Sequence, residues 1–327
     1  MASSRREFLY LSGLTAAAFA ARWTARAESL SDRPVRIIVP FAAGGQTDVL
    51  ARLVARGLSD AWHAHVYVEN LPGAGGNRAA AAVARALPDG HTVLIHASGF
   101  LINPLLYSSV PYDPVRDFEP VTVAATTPNV LVINPSLPVA NLRELVALLK
   151  ANPGKHSYAH GSVGSAGHLS GELFKQRFGV DLATVPFTGN ALAVNSTIGG
   201  HTTMAFVALP AAMEQVKQET LRALAVTGAK RSEILPDVPT MAEAGASDQE
   251  SETLQFVLVP AKTPDAIVNK LYRGIADFVA SPQMRAHLIT LGFEPVANTP
   301  KEFGAQIKAE SARWAQVIRE TKIPKIE

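Results

Sequence analysis

RIIVPFAAGGQTDVLARLVARGL, residues 36–58, runs an apolar segment into a pair of glycines and then straight into a helical pattern. Val35, Ile37, Ile38 and Val39 form a short β-rich run of the kind buried on both faces of a sheet. Pro40 closes it, because proline cannot donate to a ladder. Beyond Gly44 and Gly45 the period becomes helical. Leu50, Leu53, Val54 and Leu58 share one face, with Arg52, Arg56 and Ser59 opposite. Thr47 is the expected N-cap, and Asp48 in the first turn suits the helix dipole. Strand, glycine turn and helix together present unpaired N–H groups to an anion. An ordinary βα turn that needs glycine for a positive φ fits the same residues. Neither the G-x-G-x-x-G of dinucleotide sites nor the Gly-Lys-Ser/Thr of a P-loop is present.

Working outward, strand-like and helix-like segments alternate, which predicts an α/β class. HVYVEN (65–70), HTVLIHAS (91–98) and NVLVINPSL (129–137) read as strands, and Gly73 to Leu87 as a glycine turn opening an Ala-rich helix. Asn141 with Glu144, Thr240 with Glu243, Thr263-Pro264, and Thr299-Pro300 with Glu302 mark helix starts. A second glycine-rich turn, SYAHGSVGSAGHLSGELFKQ (157–176), repeats the logic of the first. Long strands near 129–134 and 254–260 are placed to carry the chain out of one lobe and back. That organisation gives a discontinuous lobe 1 (28–132 plus 253–327) and a continuous lobe 2 (133–252), with one amide-rich helix start in each.

The first 27 residues read as an export signal. Arg5-Arg6, Phe8-Leu9, a mild Ala-rich stretch and Ala25-Arg26-Ala27 match a twin-arginine leader cleaved near Ala27. The apolar stretch is too short for a membrane span, which needs about 20 residues. Removing the leader takes four Arg and one Glu from the 30 basic and 28 acidic residues, leaving a net charge of −1. That argues against a nucleic-acid partner, which requires a clustered basic face. The chain has no cysteine, so disulfides, thiolate metal sites and cysteine nucleophiles are excluded. Its nine histidines show no H-E-x-x-H spacing and the chain offers no thiolate, so no metal or other cofactor is expected. The expected product is a soluble periplasmic protein.

Several elements in a fixed order resemble one family: VPFAAGGQTD (39–48), VENLPGAGGN (68–77), PDGHTVL (88–94), INPLLYSSVPYDPVRDFEPV (102–121), NPGKHSYAHGSVGSAGHLSGELF (152–174), VPFTGNAL (185–192), LRALAVTGAKRSEILPDVPTMAEAG (221–245) and VPAKTP (259–264). The chain resembles the receptors of the tripartite tricarboxylate transporters, the Bug periplasmic solute-binding proteins. The resemblance implies a type II periplasmic-binding-protein fold, two α/β lobes closing around a central cleft on a small carboxylate. It also implies that the two glycine turns grip the ligand with backbone amides and hydroxyls. Residue by residue it points to Phe41, Ala42, Gly44, Gly45 and Asp48 in the first loop, with Ser98, Gly99 and Phe100 as a wall. From lobe 2 it points to Ser162, Gly164, Ser165, His168, Phe187, Thr188 and Gly189. Asp48 would repel an anion, so its side chain is expected to turn back onto loop amides.

Two positions depart from the family's pattern. Val207 stands where an acid is usual, which favours a ligand without an amino group. Leu254, Gln255 and Phe256 replace an aromatic–Gly pair at the rim or hinge. The resemblance implies a monomer that delivers its ligand to integral-membrane transporter subunits. A sensor feeding a two-component system is the alternative. A hydrolase built on His168 is disfavoured, because neither a G-x-S-x-G elbow nor a triad order is present.

Overall fold

The computed structural model describes residues 33–321 together with Ile323 and Lys325, so the expected leader over 1–27 lies outside the described residues. The chain begins with β1 (Val35–Val39), α1 (Gln46–Trp62), β2 (Val66–Asn70), α2 (Asn77–Ala84), β3 (Thr92–Ala97) and α3 (Gly99–Leu106). β1 lies between β2 and β3, parallel to both. The long strand β4 (Phe118–Ile133) then leads to α4 (Leu142–Ala151), β5 (His156–His160), α5 (Ala166–Phe178), β6 (Leu182–Pro186), α6 (Asn190–Ile198), β7 (Met204–Ala208), α7 (Leu209–Lys217) and β8 (Arg222–Val226). Here β5 lies parallel to both β6 and β7. The return strand β9 (Glu252–Pro260) is followed by α8 (Asp265–Ala280), α9 (Pro282–Thr290), the short β10 (Glu294–Pro295) and α10 (Pro300–Thr321). The sheet order is β2-β1-β3-β9-β4-β7-β5-β6, with β8 and β10 also on β4.

β4 organises the sheet by changing partners along its length. From Phe118 to Pro128 it runs antiparallel to β9, and from Asn129 to Ile133 it pairs with β7 and β8. The strand therefore begins well before residue 129, where the sequence pattern places it. Pro120 and Pro128 hide the early part, since proline normally argues against a central strand. The pairing shifts register between Pro120 and Thr122, the bulge that lets Pro120 sit there. Where the partners change, Asn129 N–H donates to the Thr227 hydroxyl (2.9 Å) and its Nδ2 to the Ser251 carbonyl (3.1 Å).

Each half of the sheet carries apolar packing on both faces, as parallel strands require. A further cluster joins the halves: Ile102 and Leu106 of α3 meet Leu169 of α5 and Trp314 and Val317 of α10. Thr240 and Glu243 form the expected reciprocal hydrogen bonds, yet only a turn follows, ending at Gly245 with φ +90°. The capping chemistry is present without a helix to cap.

Candidate functional site

β1, β2 and β3 in one half, and β5, β6 and β7 in the other, each hand the chain to a helix that starts near the strand's carboxyl end. That is where open α/β sheets bind ligands. The question is which helix-start amides remain without side-chain partners.

In the first turn the cap is Gly45, not Thr47, and no side chain caps α1. Thr47 lies inside the helix, where its hydroxyl donates to Gln255 Oε1 at 2.9 Å. The departure at Gln255 therefore fastens α1 to β9. Positive φ falls at Gly44 (+83°), whereas Gly45 is extended at −74°. A Cβ at Gly45 would meet only the Ala42 carbonyl, at 3.4 Å. Ala42, Gly44 and Gly45 are exposed, and Phe41 packs its ring edge-on to His96 at 5.6 Å.

Asp48 turns away from the exposed edge. Its Oδ2 accepts from Gly44 N–H (2.8 Å) and Arg52 Nε (2.9 Å), and its Oδ1 from Asn70 Nδ2 (2.8 Å). Burial pushes this carboxyl up, but the bonds from Arg52, Gly44 and Asn70 outweigh burial and hold its pKa below the ordinary value. Asn70 also donates to the Phe41 carbonyl (3.0 Å), and Arg52 to Asn70 Oδ1 (3.1 Å). Asn70 and Arg52 are not among the expected site residues, because they stand at the end of a neighbouring strand and one turn down the helix.

In the second turn Ser165 caps α5, its hydroxyl accepting from His168 N–H at 3.2 Å. The Gly164 amide is not free for a ligand, because it donates to His168 Nδ1 at 3.1 Å. Ser162 is exposed and its carbonyl accepts from His160 Nδ1–H at 2.9 Å. Burial pushes the His168 imidazole below its usual value, which keeps it neutral and suits a hydrogen-bonding role. Gly189 (φ +153°) caps α6 without a side chain, Thr188 beside it is exposed, and the Phe187 amide donates to the His160 carbonyl at 3.0 Å.

Three of the expected site residues, Ser98, Phe100 and Val207, have buried side chains. Phe100 is fully buried, stacked on Tyr112 and edge-on to Phe118 and Phe256, so it is core. Ser98 caps α3 without accepting from its amides, because its hydroxyl accepts from Leu254 N–H (2.9 Å) and donates to the Glu252 carbonyl (3.4 Å). Val207 is fully buried with Val130, Ala159 and Leu209. Ser98 and Phe100 stand at the start of α3 and Val207 in β7, a strand buried along its whole length, and spacing alone does not reveal which way each side chain turns. Gly99, at the start of α3, stays half-buried.

The structure does bring the second turn to the first half. A Cβ at Gly164 would lie 3.0 Å from Leu106, 3.6 Å from Asn103 Oδ1 and 3.8 Å from Ile102, all on α3. Gln46 Nε2, at the start of α1, donates to the Thr127 hydroxyl of β4 at 3.1 Å. Among the described residues, no group of three or more His, Asp or Glu is placed to hold a metal.

The family model of the tripartite tricarboxylate transporter family receptor matches residues 50–323. The chain belongs to this receptor family. A solved structure of Rpa4515 from R. palustris with adipate is 36% identical, with a TM-score of 0.84, over 91% of this chain and 100% of that one. The periplasmic binding protein BugD is 34% identical, with a TM-score of 0.79, over 90% and 99% of the two chains. MatC from Rhodopseudomonas palustris, with bound malate, is 29% identical, with a TM-score of 0.77, over 88% and 99%. The fold of this receptor-family member is therefore that of the periplasmic binding proteins, and its relatives of known structure are binding proteins.

Proposed function

We propose that this chain is a periplasmic receptor that captures a small carboxylate, a dicarboxylic acid first of all, and delivers it to the membrane subunits of a tripartite transporter. The carrying observation is that helix starts at the strands' carboxyl ends in both halves, Gly45 on α1 and Gly189 on α6 among them, have no side-chain cap. Amides at a helix start carry a partial positive charge and lack partners within the helix, a match for carboxylate oxygens that leaves the anion free to exchange. Adipate in Rpa4515 and malate in MatC are both dicarboxylates, which supports the same class here. Phe41, Ala42, Gly44 and Gly45 would border the ligand from one lobe (28–132 plus 253–327). Ser162, Ser165, His168, Thr188 and Gly189 would border it from the other (133–252). Asp48 shapes the first loop without touching the ligand.

The Arg5-Arg6 pair and the following Ala-rich stretch support twin-arginine export, and changing the pair to Lys-Lys should leave precursor in the cytoplasm. A thermal-shift screen of the mature chain against mono-, di- and tricarboxylates tests the function. A ligand at 100 times its Kd adds about 2.7 kcal/mol to stability. Dicarboxylates should head the ranking. A chain stabilised only by amino acids or sugars would sink the proposal.

A further inference from the structure

We propose that His160, at the end of β5, is a positioning residue that works with His168 to clamp the second turn in its ligand-ready shape; this rests on the receptor reading above. The two imidazoles stack with centroids 4.4 Å apart and planes 25° from parallel. Both are buried, His160 completely. Their hydrogen bonds fix complementary tautomers. His160 faces the Ser162 carbonyl with Nδ1 at 2.9 Å, so that nitrogen carries the proton. His168 receives the Gly164 N–H on Nδ1 at 3.1 Å, so that nitrogen carries a lone pair and the neutral ring is protonated on Nε2.

One ring therefore holds a carbonyl of the turn and the other holds an amide two residues on. The stack ties the rings to each other. The Ser162 carbonyl also accepts from Ser165 N–H at 3.1 Å, which joins the clamp to the cap of α5. His160 further holds the neighbouring loop, its own carbonyl accepting from Phe187 N–H at 3.0 Å. One residue thus links the loops before α5 and α6, two of the helix starts this half brings to the candidate cleft.

The clamp works only with neutral rings. Burial, with His168 adding to it, pushes His160 down to about 4, so it is uncharged at neutral pH. The titratable and charged groups facing the pair are Tyr158 on β5 and Glu172 and Lys175 on α5. Tyr158 and Lys175 are themselves bonded to Glu172, at 2.7 and 3.1 Å. His160 Nε2 is buried and has no hydrogen-bond partner, so the residue's polar work is done at Nδ1 alone.

That division gives the test. His160→Asn keeps a donor near the position of Nδ1, whereas His160→Phe keeps the ring and loses the donor. The mature receptor and both variants would be compared by histidine ring-nitrogen NMR, by amide hydrogen exchange across residues 161–165, and by calorimetry with adipate and malate. At pH 7.5 the wild type should show Nδ1-protonated His160 and Nε2-protonated His168. His160→Phe should raise exchange in the turn at least tenfold and weaken binding at least tenfold. His160→Asn should restore both to within about threefold of wild type. The opposite tautomers, or a Phe variant with wild-type exchange and affinity, would overturn the clamp. So would an Asn variant no better than Phe while its melting temperature matches wild type. If neither acid binds wild type, the receptor reading loses its support, while the ring tautomers and turn exchange still decide the clamp.

Discussion

Asn70 Nδ2 lies 2.8 Å from Asp48 Oδ1 and 3.0 Å from the Phe41 carbonyl, so one amide group at the end of β2 fixes both ends of the first glycine turn. The carboxylate in turn holds Gly44 N–H, leaving the loop as a closed ring of hydrogen bonds around exposed backbone. Bonds to a charged group contribute about 1.5–3 kcal/mol each. Asn70→Ala removes two such bonds, to Asp48 and from Arg52, together with the Phe41 contact, and should lower carboxylate affinity about tenfold with a modest loss of stability. Asn70→Asp, which sets a second carboxylate against Asp48, should do more damage than alanine. Calorimetry and thermal melts separate the two effects. Wild-type affinity in both variants would show that the ring does not shape the site.

The two glycines of the first turn should behave differently. Gly44 has φ +83°, where a Cβ costs about 1–2 kcal/mol through backbone strain alone. Gly45 has φ −74° and open space around it. Gly44→Ala should therefore lower the melting temperature, while Gly45→Val should leave folding nearly untouched. A ligand seated on the amides of α1 would meet the new valine, and affinity should fall at least tenfold. Denaturant melts and calorimetry on the pair decide it. A folded Gly45→Val that binds like wild type would leave the turn as a turn only.

Reading the sequence succeeds where the signal is local and fails where it depends on partners. Gly-rich punctuation places both turns, and the Thr299–Glu302 pair does form a capping box at the start of α10. The first half of β4 is hidden by Pro120 and Pro128, tolerated because the bulge and β9 accommodate them. Phe100 and Val207 sit at positions where only strand and helix direction decides between cleft and core. Asn70 and His160 lie within family-like stretches that assign them no role, and their roles exist only once a carbonyl of the chain is brought within about 3 Å of them.

Acid should loosen the fold before most carboxylates titrate. Burial pushes His96 from the usual 6.5 to about 4, and His160 likewise; His168 is lowered in the same way. Each of these folded-state values lies below its unfolded value, so the unfolded chain binds more protons between them. The stability contributed by neutral burial is complete above pH 6.5 and is lost as pH falls towards 4. For His96, fully buried between Phe41, Phe100 and Phe256, that amounts to about 3 kcal/mol. Melting temperatures at pH 7.5, 5.5 and 4.5 should fall steadily. His96→Gln should start lower at pH 7.5 and show a shallower decline. A flat profile for the wild type down to pH 4.5 would contradict the buried neutral rings.

Gly164 is the place where the second turn rests on α3, and it reports on how the two halves of the sheet meet. Its φ of +76° is already unfavourable for a side chain, and a Cβ there would press on Leu106 at 3.0 Å. Leu106 is fully buried in the cluster that joins α3, α5 and α10, so it has little room to yield. Gly164→Ala should therefore cost more than the backbone strain of about 1–2 kcal/mol. The lobes would also be held slightly apart. Because the closed arrangement is the one that surrounds a ligand, the variant should release ligand faster while its association rate changes little. Leu106→Ala removes the obstructing methyls and leaves a cavity, at a cost of about 2–5 kcal/mol on its own. In the double variant the alanine methyl has space to occupy, so part of the Gly164→Ala defect in ligand release should be recovered. Stopped-flow dissociation measured on the four proteins of this cycle gives the coupling directly. Strict additivity of the two changes would mean that the turn does not bear on α3 when ligand is held.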